Sequence, residues 1–214
     1  MKTSELINAL IEDREALAPA PGLGSPFGFY LAGGLASSLL IFFSFLGIRP
    51  DFDRAMLDPH VVFKFIFAGS LFGSLMPLAF YAMRPEITLT PLLRRLFFPL
   101  IVLGMGIAFQ MATTPPVFWF SEMVGRYPAS CLKNVPIFAA GPLVAILLMI
   151  RAGAPTQPIV SGAIAGALSG SLGAIIYALH CPDDSALFVA VWYSLAIGIL
   201  SVVGGFLGQL WLKW

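Results

Sequence analysis

Charge is scarce in this chain: Lys, Arg, Asp and Glu make up 11% of its 214 residues, against 58% hydrophobic residues. The net charge is only +1, so there is no basic stripe of the kind a nucleic-acid binder needs, and direct nucleic-acid binding is excluded. Two cysteines are too few for a disulfide scaffold. No HExxH, P-loop or GxSxG motif occurs, so nothing supports metalloprotease, nucleotide-driven or serine-hydrolase chemistry. No Asp, Glu or Arg lies in the middle of a long apolar run, which counts against carriers and proton pumps, whose ionisable groups sit deep in the bilayer. No internal repeat suggests transporter pseudosymmetry. No small-residue cleavage site follows a short apolar core near the N-terminus, so the first apolar run reads as a retained span. Together these absences argue against an enzyme.

What the chain does have is six long apolar runs, at Phe27–Gly47, Val61–Met83, Leu96–Thr114, Val135–Ile150, Ile159–Leu179 and Ala186–Leu212. A helix rises about 1.5 Å per residue, so roughly 20 apolar residues cross a hydrocarbon core about 30 Å thick. The fourth run is short and is expected to borrow a turn from Tyr127–Asn134. The fold expected is all-α: a polytopic membrane protein with a six-transmembrane-helix bundle over residues 27–214. Residues 1–26 form a cytoplasmic segment and linker.

Orientation follows from Lys and Arg, which favour the cytoplasmic side. With the N-terminus inside, the inner segments hold Lys2, Arg14, Arg84, Arg94, Arg95, Arg151 and Lys213, and the outer loops hold Arg49, Arg54, Arg126 and Lys133. Both termini are then cytoplasmic. Cys131, in the third connector, and Cys181, in the fifth, face outward with His60 and His180. Lys64 falls near the outer end of the second run and is expected to snorkel to the interface.

The first 17 residues pattern as a short amphipathic helix. Thr3 is a plausible N-cap, and Leu6, Ile7, Leu10, Ile11 and Leu17 share one face, with Arg14 inside the stripe. Glu5, Asn8, Glu12 and Glu15 line the other face. A membrane-surface helix usually carries a basic polar face; this one is acidic, which favours a protein partner. Residues 18–26, rich in Pro, Gly and Ala, read as a linker. Small residues four apart at Gly69/Gly73, Gly162/Gly166/Gly170 and Gly204/Gly208 suggest close helix contacts, with the fifth run central. Pro77, Pro99 and Pro142 suggest kinks or early turns. Gln110, Thr113 and Thr114 are expected to bond between helices.

The chemistry concentrates in His180-Cys181-Pro182-Asp183-Asp184, between the last two runs. With Cys131 from another loop, these residues could ligate a soft or borderline metal or form a redox pair. Cys131 and Cys181 could instead form a structural disulfide. Asp183 or Asp184 could simply cap the sixth helix, leaving the other residues to make a turn.

The chain resembles the NrsF-like family of six-span bacterial anti-sigma factors, negative regulators of extracytoplasmic-function sigma factors. The resemblance covers essentially the whole chain. It rests on the Met1-Lys-Thr start, Cys131-Leu-Lys-Asn-Val-Pro136, Arg151-Ala-Gly-Ala-Pro155, Tyr177-Ala-Leu-His-Cys-Pro-Asp-Asp184, Phe188-Val-Ala-Val-Trp-Tyr193 and the Trp-ended tail. It implies a protein of the bacterial inner membrane whose cytoplasmic segment holds a sigma factor through Thr3, Leu6, Ile7, Leu10, Ile11 and Arg14. It further implies that periplasmic Cys131 and Cys181 sense metal or oxidative stress, with no resident cofactor beyond a transient heavy-metal ligand. Two other classes stand beside it. A membrane thiol–disulfide oxidoreductase lacks its Cys-x-x-Cys motif here, and a small transporter or channel lacks mid-membrane ionisable groups.

Overall fold

A computed structural model describes residues 24–83, 94–153 and 155–212 of the chain. The N-terminal segment, with Thr3, Leu6, Ile7, Leu10, Ile11 and Arg14, lies outside the described residues. Among those described, all regular structure is helical. The spanning-length helices are α1 (Gly24–Phe45), α3 (Pro59–Ala82), α4 (Phe97–Thr113), α6 (Pro128–Ala152), α7 (Pro158–Ala178) and α8 (Ala186–Trp211). A 3-10 turn at Arg94–Leu96 leads into α4. Two short helices, α2 (Phe52–Ala55) and α5 (Trp119–Val124), lie in connectors. α8 contains a π turn over Val189–Tyr193. All six long helices are long and apolar enough to cross a membrane.

Local chemistry sets the helix starts. Pro59, Pro128 and Pro158 occupy first-turn positions, where a missing N–H costs nothing. The Asp58 carboxylate caps α3 by accepting from His60 N at 2.9 Å. Pro128 also explains why α6, at 25 residues, runs well past its apolar stretch. Its first turns carry Lys133 and Asn134, which hydropathy reads as loop. The fourth run thus draws on Tyr127–Asn134 as expected, which places Cys131 in the first turn of a long helix and not in the connector. Pro99 sits in the first turn of α4, while Pro77 and Pro142 are interior.

α7 is central, as its small residues suggested: it contacts α8, α6 and α3, α1 packs on α6, and α4 packs on α3. The seam between α7 and α8 is glycine against glycine. A Cβ at Gly162 would collide with the Gly204 carbonyl, and one at Gly166 with the Leu200 carbonyl. In lipid this close approach supplies the dispersion that apolar burial cannot. Ser201 Oγ adds a bond across the seam to Ala163 O at 3.1 Å. Gly69 and Gly73 do not behave this way: among the described residues a Cβ at either would meet nothing within 4 Å, so that stripe is not a close-packed seam. Large side chains such as Phe43, Leu100, Met105, Val202 and Phe206 point outward, a distribution suited to a lipid solvent.

The core has two halves. One joins Leu75, Leu78, Ile146, Ile150, Leu168 and Leu212. The other joins Phe42, Phe138, Tyr177, Phe188 and Tyr193 with both cysteines. The second half lies beneath the connectors 46–58, 114–127 and 179–185, which meet at one end of the bundle.

Candidate functional site: a buried thiol pair under an ionic clasp

The turn between α7 and α8 is held from every side. Lys64 of α3 is fully buried. Its Nζ donates to Asp184 Oδ1 at 2.5 Å, to Cys181 O at 2.9 Å and to Asp183 O at 3.3 Å. The expectation that Lys64 snorkels is therefore wrong. A buried ammonium needs acceptors, and the carboxylate that satisfies this one lies 120 residues away in sequence.

Arg49, from the first connector, reaches the same turn. Its Nη1 donates to both Asp184 oxygens at 3.0 and 3.1 Å and to Cys181 O at 3.3 Å. Its Nε and Nη2 form a fork on Asp51, both at 2.7 Å. Asp51, helped by Asp184, holds the Arg49 guanidinium well above its ordinary value against the opposing effect of burial. In return Arg49 draws the exposed Asp51 carboxyl down to about 2. Asp58 is also lowered, chiefly by the His60 backbone N–H.

The third connector is tied by Asp183. Its two oxygens accept from Arg126 N and Tyr127 N, each at 2.9 Å. Gly125 makes this possible: its φ is +66°, and a Cβ there would collide with the Phe188 ring. Gln110 of α4 accepts from Ala186 N at 3.3 Å, an interhelical bond as expected, whereas the Thr113 and Thr114 side chains bond within their own helix end. Nδ1 of His180 lies 2.9 Å from Gly47 O. Neither aspartate caps α8. Ser185 does, its Oγ accepting from Leu187 N at 3.2 Å.

Beneath this clasp lie Cys131 and Cys181, both free thiols at 0% exposure in one core cluster. The Cys181 sulfur faces Asp183 O at 3.7 Å. Burial pushes the Cys181 thiol up, and the Lys64 charge partly opposes that rise. The rings of Tyr177 and Tyr193 close the other side, 6.3 Å apart. On the open face of the clasp, Asp58, His60, Gln110, Glu122, Arg126 and Asp184 help line a cleft of about 690 Å³.

The structure thus brings Cys131, Cys181, Asp183 and Asp184 into one region, with His180 at its edge. Among the described residues, no group of three or more His, Cys, Asp and Glu is placed to hold a metal ion. Both aspartates already answer backbone N–H groups or cations. Sequence reading missed Arg49, Lys64, Tyr177 and Tyr193. Lys64 could have been found as the one Lys, Arg, Asp or Glu inside an apolar run, with two adjacent aspartates in another connector to answer it.

Among the described residues, such an arrangement defines a bundle of six helices of membrane-spanning length whose polar side chains clasp a covered dithiol. Residues 13–214 match the family described as "Negative regulator of sigma F" (NrsF). The chain belongs to that family. It is 31% identical to a probable anti-sigma-F factor NrsF of Azospira oryzae and 32% identical to the anti-sigma-F factor NrsF of Caulobacter vibrioides. Each of those alignments covers both chains in full. No solved structure matches the chain.

Proposed function

We propose that the protein is an inner-membrane anti-sigma factor that sequesters an extracytoplasmic-function sigma factor and releases it when Cys131 and Cys181 react with an oxidant or a soft metal. Family membership across residues 13–214 supports the regulatory role. The observation that carries the sensing role is the burial of two free thiols in one cluster beneath a turn pinned by two connectors and by Lys64 of α3. In this reading both termini are cytoplasmic and the clasp faces the periplasm, an oxidising compartment. The sigma factor is gripped by the apolar stripe Leu6, Ile7, Leu10 and Ile11, with Thr3 as cap and Arg14 as an ionic contact. Two thiols losing two electrons and two protons become a disulfide that ties the start of α6 to the α7–α8 turn. The ligand changes the grip only through its different affinity for the two packings of the bundle.

The test is made in membranes. A sigma factor should co-purify with the full chain and be lost when residues 1–14 are removed. A Cys131→Ser/Cys181→Ser protein should still repress but no longer respond to peroxide or cadmium. A double-serine protein that responds like the parent would sink the sensing role, and co-purification that survives truncation would sink the sigma-binding one.

A further inference from the structure

Tyr193 is completely buried, and its hydroxyl has no hydrogen-bond partner among the described residues. That is costly, because a buried polar group left unpaired loses its hydration without compensation. The titratable side chains that share its buried cluster are Cys181, Cys131 and Tyr177. Its neighbour in the same buried cluster is the Cys181 thiol, which does not satisfy it in this arrangement. The residue closes the π turn Val189–Tyr193. Such turns insert a residue into the helical register and recur at functional sites. Phe188, 6.3 Å away ring to ring and nearly edge-on, and Tyr177 fix the Tyr193 ring from two sides. The ring is positioned by packing and the hydroxyl is left free.

We infer that Tyr193 is a positioning residue for the sensor thiol, its hydroxyl being the donor that stabilises negative charge on the Cys181 sulfur as that sulfur reacts. This rests on the sensing role proposed for Cys131 and Cys181. Lys64 is a weaker candidate, since its charge is already answered by Asp184 and two carbonyls. A donor bond that forms only when the sulfur becomes anionic lowers the barrier without stabilising the resting thiol.

With a hydroperoxide as oxidant the chemistry balances. The Cys181 thiol gives its proton to water, and the thiolate attacks the terminal peroxide oxygen. An S–O bond forms, the O–O bond breaks, and the alkoxide leaves, taking a proton to become an alcohol. The Cys131 thiol then attacks the sulfenic sulfur. The S–S bond forms, and hydroxide leaves with the Cys131 proton as water. Two electrons pass from the two sulfurs to the peroxide.

The test is Tyr193→Phe in the full chain, in lipid nanodiscs. Hydrogen peroxide drives disulfide formation between Cys131 and Cys181, read by a gel shift with a maleimide polymer. The rate should fall about ten-fold or more, as expected for losing a hydrogen bond to a charged group. The pH midpoint for maleimide alkylation of Cys181 should rise, measured in the Cys131→Ser background. The melting temperature should stay level or increase, because the variant removes only an unpaired hydroxyl. An oxidation rate within two-fold of the parent and an unshifted midpoint overturn the inference. So does slower oxidation accompanied by lost stability, which would mark the hydroxyl as structural. If the double-serine protein still senses peroxide in cells, the sensing role itself has failed, whatever Tyr193→Phe does in nanodiscs.

Discussion

Removing Asp184 should damage the protein more than removing Lys64, and the asymmetry can be worked from the clasp. Lys64 has 0% of its side chain exposed and Asp184 has 22%. In Asp184→Ala, the buried ammonium keeps only the carbonyls of Cys181 and Asp183. Stranding one partner of a buried pair costs roughly 3–5 kcal/mol. In Lys64→Met the stem volume is retained and Asp184 keeps two contacts to Arg49. The Cys181 carbonyl also still accepts from Arg49. That loss is about 1–2 kcal/mol, the range for a hydrogen bond to a charged group with partial rescue by solvent. The double variant should resemble Lys64→Met, since no unpaired buried charge remains in the clasp. SDS titration of the purified protein in micelles, followed by circular dichroism, gives the four free energies of the cycle. Lys64→Met costing as much as Asp184→Ala, or strictly additive losses, would falsify the buried-pair argument.

Other consequences are as specific. Gly166→Ala should destabilise the α7–α8 seam by about 1–3 kcal/mol, because its Cβ collides with the Leu200 carbonyl. Gly69→Ala meets nothing within 4 Å and should be neutral or stabilising by up to about 1 kcal/mol; the same titration ranks the two. Asp183→Asn keeps one carbonyl-type oxygen for two backbone donors and should cost roughly 1–2 kcal/mol, read as faster proteolysis at residues 125–127. Asp51 has its folded pKa lowered to about 2 by Arg49. Its contribution is therefore complete above the unfolded carboxyl value of about 3.9 and is lost as pH falls from there through about 2. Proteolytic sensitivity of the first connector should be flat from pH 7 to 5 and rise below 4. Asp51→Asn should remove that acid-dependent part.

Sequence reading succeeded where the signal is local and additive. Six runs of about 20 apolar residues define six helices because bilayer thickness admits little else, and the glycines of α7 marked the central helix because small residues repeat at helical spacing. It failed where partners are distant or register changes. Lys64 near a helix end invites the snorkelling reading, and only the fold shows Asp184 beside it. Cys131 reads as connector because polar Lys133 and Asn134 interrupt hydropathy, although the helix expected to draw a turn from Tyr127–Asn134 opens at Pro128 and includes it. The π turn that aims Tyr193 leaves no mark on periodicity. Asp183 and Asp184 resembled caps, yet Ser185 fills that role and frees both to bind other connectors.

Full burial of both sulfurs makes a kinetic demand on any chemistry they perform. No reagent touches them while the 179–185 turn is closed, so reaction proceeds through local opening, whose free energy is set by the bonds from Lys64, Arg49, Arg126 N and Tyr127 N. At low reagent the labelling rate then follows the opening equilibrium. At high reagent it levels off at the opening rate. Lys64→Met weakens the clasp by about 1–2 kcal/mol, so low-reagent labelling of Cys181 by a small maleimide should rise about five- to thirty-fold. Gly69→Ala, remote from the clasp, should leave that rate unchanged. Labelling that stays first order in reagent at every concentration and ignores Lys64 would mean the sulfurs react without the turn opening. The clasp would then hold the connectors together without guarding the thiols.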